Sequence, residues 1–148
     1  MKLATEIKYG FGPHLMLDCY GCSKEKLSDL DLIFSTLDAL PAKIGMTKIM
    51  QPHVFKYSGQ VPEDWGISGV VLIAESHISI HTFPEKEHAF IDIFSCKDFD
   101  TDFARRELLE TFGATSHEVV LVNRGLEFPK SVRRAPVPID RERPRIYH

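Results

Sequence analysis

The segment from Val70 to Cys96 leaves the chain the fewest choices. It reads Val-Val-Leu-Ile-Ala-Glu-Ser-His-Ile-Ser-Ile-His-Thr-Phe-Pro-Glu-Lys-Glu-His-Ala-Phe-Ile-Asp-Ile-Phe-Ser-Cys. Val70 to Ala74 is a wholly apolar, β-branched run, the pattern of a strand buried on both faces. After Glu75-Ser76-His77, Ile78 and Ile80 alternate with His77, Ser79 and His81, the period of a strand with one apolar and one polar face. Pro84 ends it. Past a short charged turn, Ile91 and Ile93 alternate with Asp92, Phe94 and Cys96, which predicts a second strand returning antiparallel. If the isoleucines share a buried face, His77, Ser79 and His81 share the other with Asp92, Phe94 and Cys96. A slip of one residue would set isoleucines against polar groups. The expected product is a wall bearing a hydroxyl, two imidazoles, a carboxylate and a thiol, with Ser76 at its edge.

The remaining segments fit around this hairpin. Residues 1 to 13, with Gly10, Gly12 and Pro13, read as an irregular lead-in, and His14 to Tyr20 alternates as a first strand. Leu30, Ile33, Phe34, Leu37 and Leu40 recur at helical spacing, with Ser28 or Asp29 as N-cap and Pro41 as the stop. Lys48 to Tyr57 is a strand that Pro52 confines to an edge or a bulge. Ser58 to Gly69 is a loop delivering Ile67 and Ser68 into the strand that follows. Asp100 or Thr101 caps a second helix with Phe103, Ala104, Leu108 and Phe112 on its apolar stripe, Gly113 ends it, and Glu118 to Asn123 is the last strand. Connections too short for parallel crossovers predict an α+β fold, a two-layer sandwich of mostly antiparallel sheet with the helices on one face. One domain spans 1–128, and 129–148 is a Pro/Arg-rich tail. The face left bare by helices, with Phe90 and Phe94 near it, predicts a homodimer.

Composition excludes several classes of function. A net charge of −3 and no basic stretch in the body give a nucleic-acid partner no electrostatic support. The arginines at 133, 134, 141, 143 and 145 lie among prolines and acids near the end, as in a solvated tail. No apolar run approaches membrane-helix length and the N-terminus carries no signal-peptide core, so the expected location is cytoplasmic. Three cysteines without an export signal argue against a disulfide framework.

Individual residues have bland readings. Cys19 and Cys22 have redox-pair spacing, but without a second pair they read as packing cysteines. His77, His81, His88 and Cys96 allow a metal site only as a minor alternative, since a four-residue step on a strand separates ligands. Ser76, His81 and Asp92 contain the groups of a serine hydrolase, yet no Gly-x-Ser-x-Gly elbow surrounds Ser76. Convergence on one short hairpin is what raises the odds of catalysis.

Glu75-Ser76-His77-Ile78-Ser79-Ile80-His81-Thr82-Phe83-Pro84-Glu85, followed by Asp92-Ile93-Phe94-Ser95-Cys96, resembles the prokaryotic S-adenosylmethionine decarboxylase proenzymes. The resemblance extends through His14 to Cys22 and Gly66 to Val71, and leaves out the tail after Phe128. It implies autocatalytic cleavage between Glu75 and Ser76. Ser76 attacks the carbonyl of Glu75, and β-elimination then leaves a covalent pyruvoyl group at position 76 that forms a Schiff base with the substrate. It also implies His81 as proton acceptor in processing, Ser68 as stabiliser of the oxyanion, and Cys96 as proton donor in decarboxylation. The product would supply aminopropyl groups for spermidine synthesis, from two chains per processed protomer. The alternatives are a pyruvoyl-dependent arginine or ornithine decarboxylase on the same fold, and a non-catalytic or metal-binding homologue. Phe83 stands where many relatives have tryptophan, and the loop Tyr57 to Trp65 is longer; Phe55, Trp65 and Phe83 are candidates to stack on an adenine or a sulfonium.

The chemistry also follows from the residues themselves. An α-amino acid loses carbon dioxide only with an electron sink, which a ketone made from the chain provides without a bound cofactor. A thiol with an ordinary pKa of about 8.5 is still protonated at neutral pH and can reprotonate the α-carbon. An imidazole with an ordinary pKa near 6.5 is largely neutral there and can act as a base.

Overall fold

The computed structural model describes residues 7–132 of the chain. Its strands are β1 (Ile7–Tyr9), β2 (Gly12–Tyr20), β3 (His53–Tyr57), β4 (Gly66–Ile73), β5 (Ser76–Phe83), β6 (His88–Ser95), β7 (Ser116–Arg124) and β8 (Pro129–Val132). Six of them form one antiparallel sheet in the order β3-β4-β5-β6-β2-β7, while β1 and β8 pair separately. Helices α1 (Lys24–Leu27), α2 (Leu30–Lys43) and α3 (Thr101–Phe112) complete the chain.

Side-chain parity decides where the core lies. Leu15 and Leu17 of β2, Ile78 and Ile80 of β5, and Ile91 and Ile93 of β6 point to one side of the sheet, where Ile33, Leu37 and Leu40 of α2 and Ala104, Leu108 and Phe112 of α3 meet them. Each such side chain contributes about 1.5–3 kcal/mol on removal from water. Both long helices therefore cover the same face, and the fold is the expected two-layer α+β sandwich. Gly69 lets α2 sit close, since a Cβ there would meet Leu37 Cδ1 at 2.7 Å.

Hairpin pairing follows the isoleucine argument: Ile78 lies opposite Ile93, Ile80 opposite Ile91 and Ser79 opposite Asp92. Asp29 caps α2 and Asp100 caps α3, each through its side chain, and Gly113 closes α3 in the left-handed conformation at φ 64°. β3 is an edge strand and begins only after Pro52, with Lys48 reduced to an isolated bridge to Ile73.

Other expectations need correction. Pro41 does not stop α2 but lies buried inside its last turn, where losing one backbone donor costs little. A short α1 precedes α2, capped by Ser23. The N-terminal lead-in contains β1, and β2 starts at Gly12. β8 occupies the first residues of the segment read as a tail, pairing with β1; residues 133–148 lie outside the described residues. The run from Val70 is not buried on both faces: Leu72 is 43% exposed on the side away from the helices. Among the described residues no helix is long and apolar enough to cross a membrane.

Candidate active site

The Glu75-Ser76 linkage lies at the tight turn joining β4 to β5, at Ala74 and Glu75. Thr47 holds this turn twice: its carbonyl accepts from Ala74 N at 2.8 Å, and its N–H donates to Glu75 Oε1 at 2.9 Å. The Glu75 carbonyl oxygen accepts from Cys96 N at 2.9 Å. Cys96 follows β6 and is half-buried. Its position is set by the buried Ser95, whose Oγ accepts from Lys97 N at 2.9 Å and donates to Lys97 O at 2.7 Å. Gly12 leaves room on the other side, because a Cβ there would overlap the Ser95 carbonyl oxygen.

Ser76 opens β5, and its Oγ lies 3.1 Å from His77 Nδ1. The His77 ring packs edge-on against Phe94, with centroids 5.8 Å apart. Beside it, His14 Nε2 donates to Asp92 Oδ1 at 2.9 Å while Arg124 Nη1 donates to His14 Nδ1 at 3.4 Å, and the Arg124 guanidinium lies 4.0 Å from the Phe94 ring centre. Burial pulls the His77 imidazole below its usual range; His14 and Arg124 reinforce this and Asp92 opposes it. Further along the same face, burial and the carboxylates of Glu118 and Asp92 push Asp18 up.

Ser68 and His81 form a separate pair. They lie opposite each other on β4 and β5, with Ser68 Oγ 2.8 Å from His81 Nδ1. Five residues of strand separate His81 from Ser76, roughly 16 Å at about 3.3 Å per residue. The expected residues thus gather as two groups, Ser76 with Glu75 and Cys96, and Ser68 with His81. Ser68 and His81 line an open depression of about 350 Å³, together with His53, Phe55, Val70, His77 and Ser79.

Of the candidate stacking aromatics, only Phe55, 62% exposed, borders this depression. Trp65 donates to Glu85 and carries Lys56 over its ring, and Phe83 packs edge-on against Phe90. Cys19 and Cys22 are buried free thiols, and the hydrogen bond with Cys22, followed by burial, pushes the Cys19 thiol up. Among the described residues no three His, Cys, Asp or Glu side chains come together as a metal-binding group. Sequence reasoning missed Thr47, His14 and Arg124. Only the polar parity of β2, which sets His14 beside Phe94 and Val122, hinted at one of them.

Comparison with known proteins bears on the same segment. Residues 13–125 match the family model described as S-adenosylmethionine decarboxylase. A relative from Geobacillus kaustophilus named S-adenosylmethionine decarboxylase proenzyme is 36% identical over 124 residues, covering 84% of this chain and 94% of its own. The proenzyme of that name from Thermococcus kodakarensis is 38% identical over 125 residues, covering 83% and 82%. The crystal structure of the adenosylmethionine decarboxylase from Aquifex aeolicus superposes with a TM-score of 0.66 at 30% identity, covering 79% of this chain and 92% of that one. A match over most of the chain, at these identities and on the same fold, means that the chain belongs to the S-adenosylmethionine decarboxylase family.

Proposed function

We propose that the chain is a proenzyme that cuts itself between Glu75 and Ser76 and then decarboxylates S-adenosylmethionine, whose product supplies aminopropyl groups for spermidine synthesis. The observation that carries this reading is the Glu75 carbonyl, held by the Cys96 N–H at 2.9 Å with the Ser76 hydroxyl next along the chain. When Ser76 Oγ attacks that carbonyl carbon, negative charge develops on an oxygen that already has a fixed donor, which favours the transition state over the ground state. The C–N bond breaks and the chain becomes an ester. Loss of the residue-76 α-proton then expels the Glu75 carboxylate, and hydrolysis of the dehydroalanine left behind releases ammonia.

The residues present fit a pyruvoyl group made from Ser76, which would start β5 beside Cys96. That group supplies the electron sink for decarboxylation. Cys96, half-buried and a free thiol, is the proposed proton donor to the α-carbon. The depression has the volume of a small-molecule site, and Phe55 offers an apolar platform for the adenosyl group and its adjacent positive charge.

His81 and Ser68 reach Ser76 only from a second copy. The face of the sheet away from the helices exposes Phe55, Tyr57, Leu72, Phe90, Val120 and Val122. Two copies stacked through it, with the two-fold axis running across the strands, would bring the partner's His81 to the Ser76 end of β5, so a homodimer is part of the proposal. The three free thiols fit a reducing, cytoplasmic setting.

Denaturing electrophoresis with intact-mass measurement tests the reading. The wild-type chain should yield residues 1–75 and 76–148, and Ser76→Ala should stay whole. Cys96→Ala should be cut yet release carbon dioxide about 100-fold more slowly or worse. A wild-type chain that remains single after long incubation would sink the proposal, and faster carbon dioxide release from arginine or ornithine would overturn the substrate.

A further inference from the structure

Self-processing starts with a proton that must leave Ser76 Oγ, and Cys96 N–H, a donor, cannot take it. His81 is no candidate for this step: in either copy its Nδ1 is engaged with Ser68 Oγ, and within one chain it lies at the far end of β5. Resting on the self-cleavage reading, we propose that His77 is the base for the first step: its Nδ1, 3.1 Å from Ser76 Oγ, accepts the hydroxyl proton as Oγ bonds to the Glu75 carbonyl carbon, then returns it to the Ser76 nitrogen as the C–N bond breaks. The step is an isomerisation. One O–H and one C–N bond are lost, one C–O and one N–H bond are made, and no co-reactant enters.

The setting supports that role. A 3.1 Å contact is within the reach a general base needs. The imidazole is fixed by the Phe94 ring, itself covered on one side by Arg124, and so is held beside the hydroxyl. In the tautomer with its proton on Nε2, Nδ1 is free to accept. The charged and titratable groups facing it are His14 of β2, Asp92 of β6 and Arg124 of β7, with His53 of β3 across the depression. Burial, His14 and Arg124 keep the ring neutral near neutral pH, the state a proton acceptor requires. Two imidazoles then divide the work: His77 serves the acyl shift and His81 the later elimination.

The division is measurable because the ester between the two steps is cleaved by hydroxylamine. His81→Ala should accumulate a hydroxylamine-sensitive linkage at Glu75-Ser76. The double variant His77→Ala/His81→Ala should form it at least about 100-fold more slowly. His77→Ala alone should process slowly with a native circular dichroism spectrum, and added imidazole, entering the open depression, should restore part of the rate; His77→Gln, which keeps a polar contact but no base, should be equally slow. Wild-type processing in His77→Ala overturns the proposal. So does ester accumulation in that variant, or a loss of rate that imidazole does not restore. Failure of the underlying reading looks different: the wild-type chain stays whole and His81→Ala holds no hydroxylamine-sensitive bond.

Discussion

At position 77 one imidazole is neutral for reasons that surround it. Burial, His14 and Arg124 lower its proton affinity, and Asp92 alone raises it. In the uncut Ser76→Ala chain, NMR titration should therefore show His77 protonating below the ordinary imidazole value of about 6.5. Asp92→Asn should move it lower still. The sign for stability follows: between the two values the unfolded chain binds a proton that the folded chain refuses, so stability falls as pH drops below about 6.5. A His77 titrating at or above that value would contradict the environment described. The parity of Ile78 and Ile80 made the open face of β5 legible, His77 and His81 included. Arg124 was not legible, because it reaches Phe94 only through the pairing of β7 with β2, and Arg124 and His14 lie 110 residues apart in sequence.

Among the elements, the central hairpin was the most readable, since both strands carry isoleucines on one face and any slip would bury His77 or Asp92. β4 was misread because an all-apolar run does not reveal that its Val70 and Leu72 side awaits something other than a helix. The tie between β5 and the helical layer was also hidden. Thr82, 2% exposed, donates through Oγ1 to Leu27 O at 2.9 Å and accepts from Ile67 N at 3.0 Å, at a position where alternation suggested only another inward residue. Thr82→Val keeps the shape and strands both partners. It should cost about 1–3 kcal/mol in urea unfolding, and a change within error would mean that these bonds are replaced.

For the molecule as a whole, the uncovered face fixes what must be tested. Val120, 52% exposed, lies on it opposite Met16, away from the proposed catalytic groups. Val120→Lys should turn the proposed dimer into a monomer in sedimentation equilibrium and slow processing with it, because the partner's His81 would then be missing. A wild-type monomer that is fully cut would remove the two-copy site. The six-stranded order carries a further consequence. The proposed cleavage would leave β2, β3 and β4 in one polypeptide and β5, β6, α3 and β7 in the other, yet β2 sits between β6 and β7. The two pieces are braided, so neither can leave without dismantling the shared interior, and once they are unfolded and diluted, recovery becomes a second-order event that slows with falling concentration.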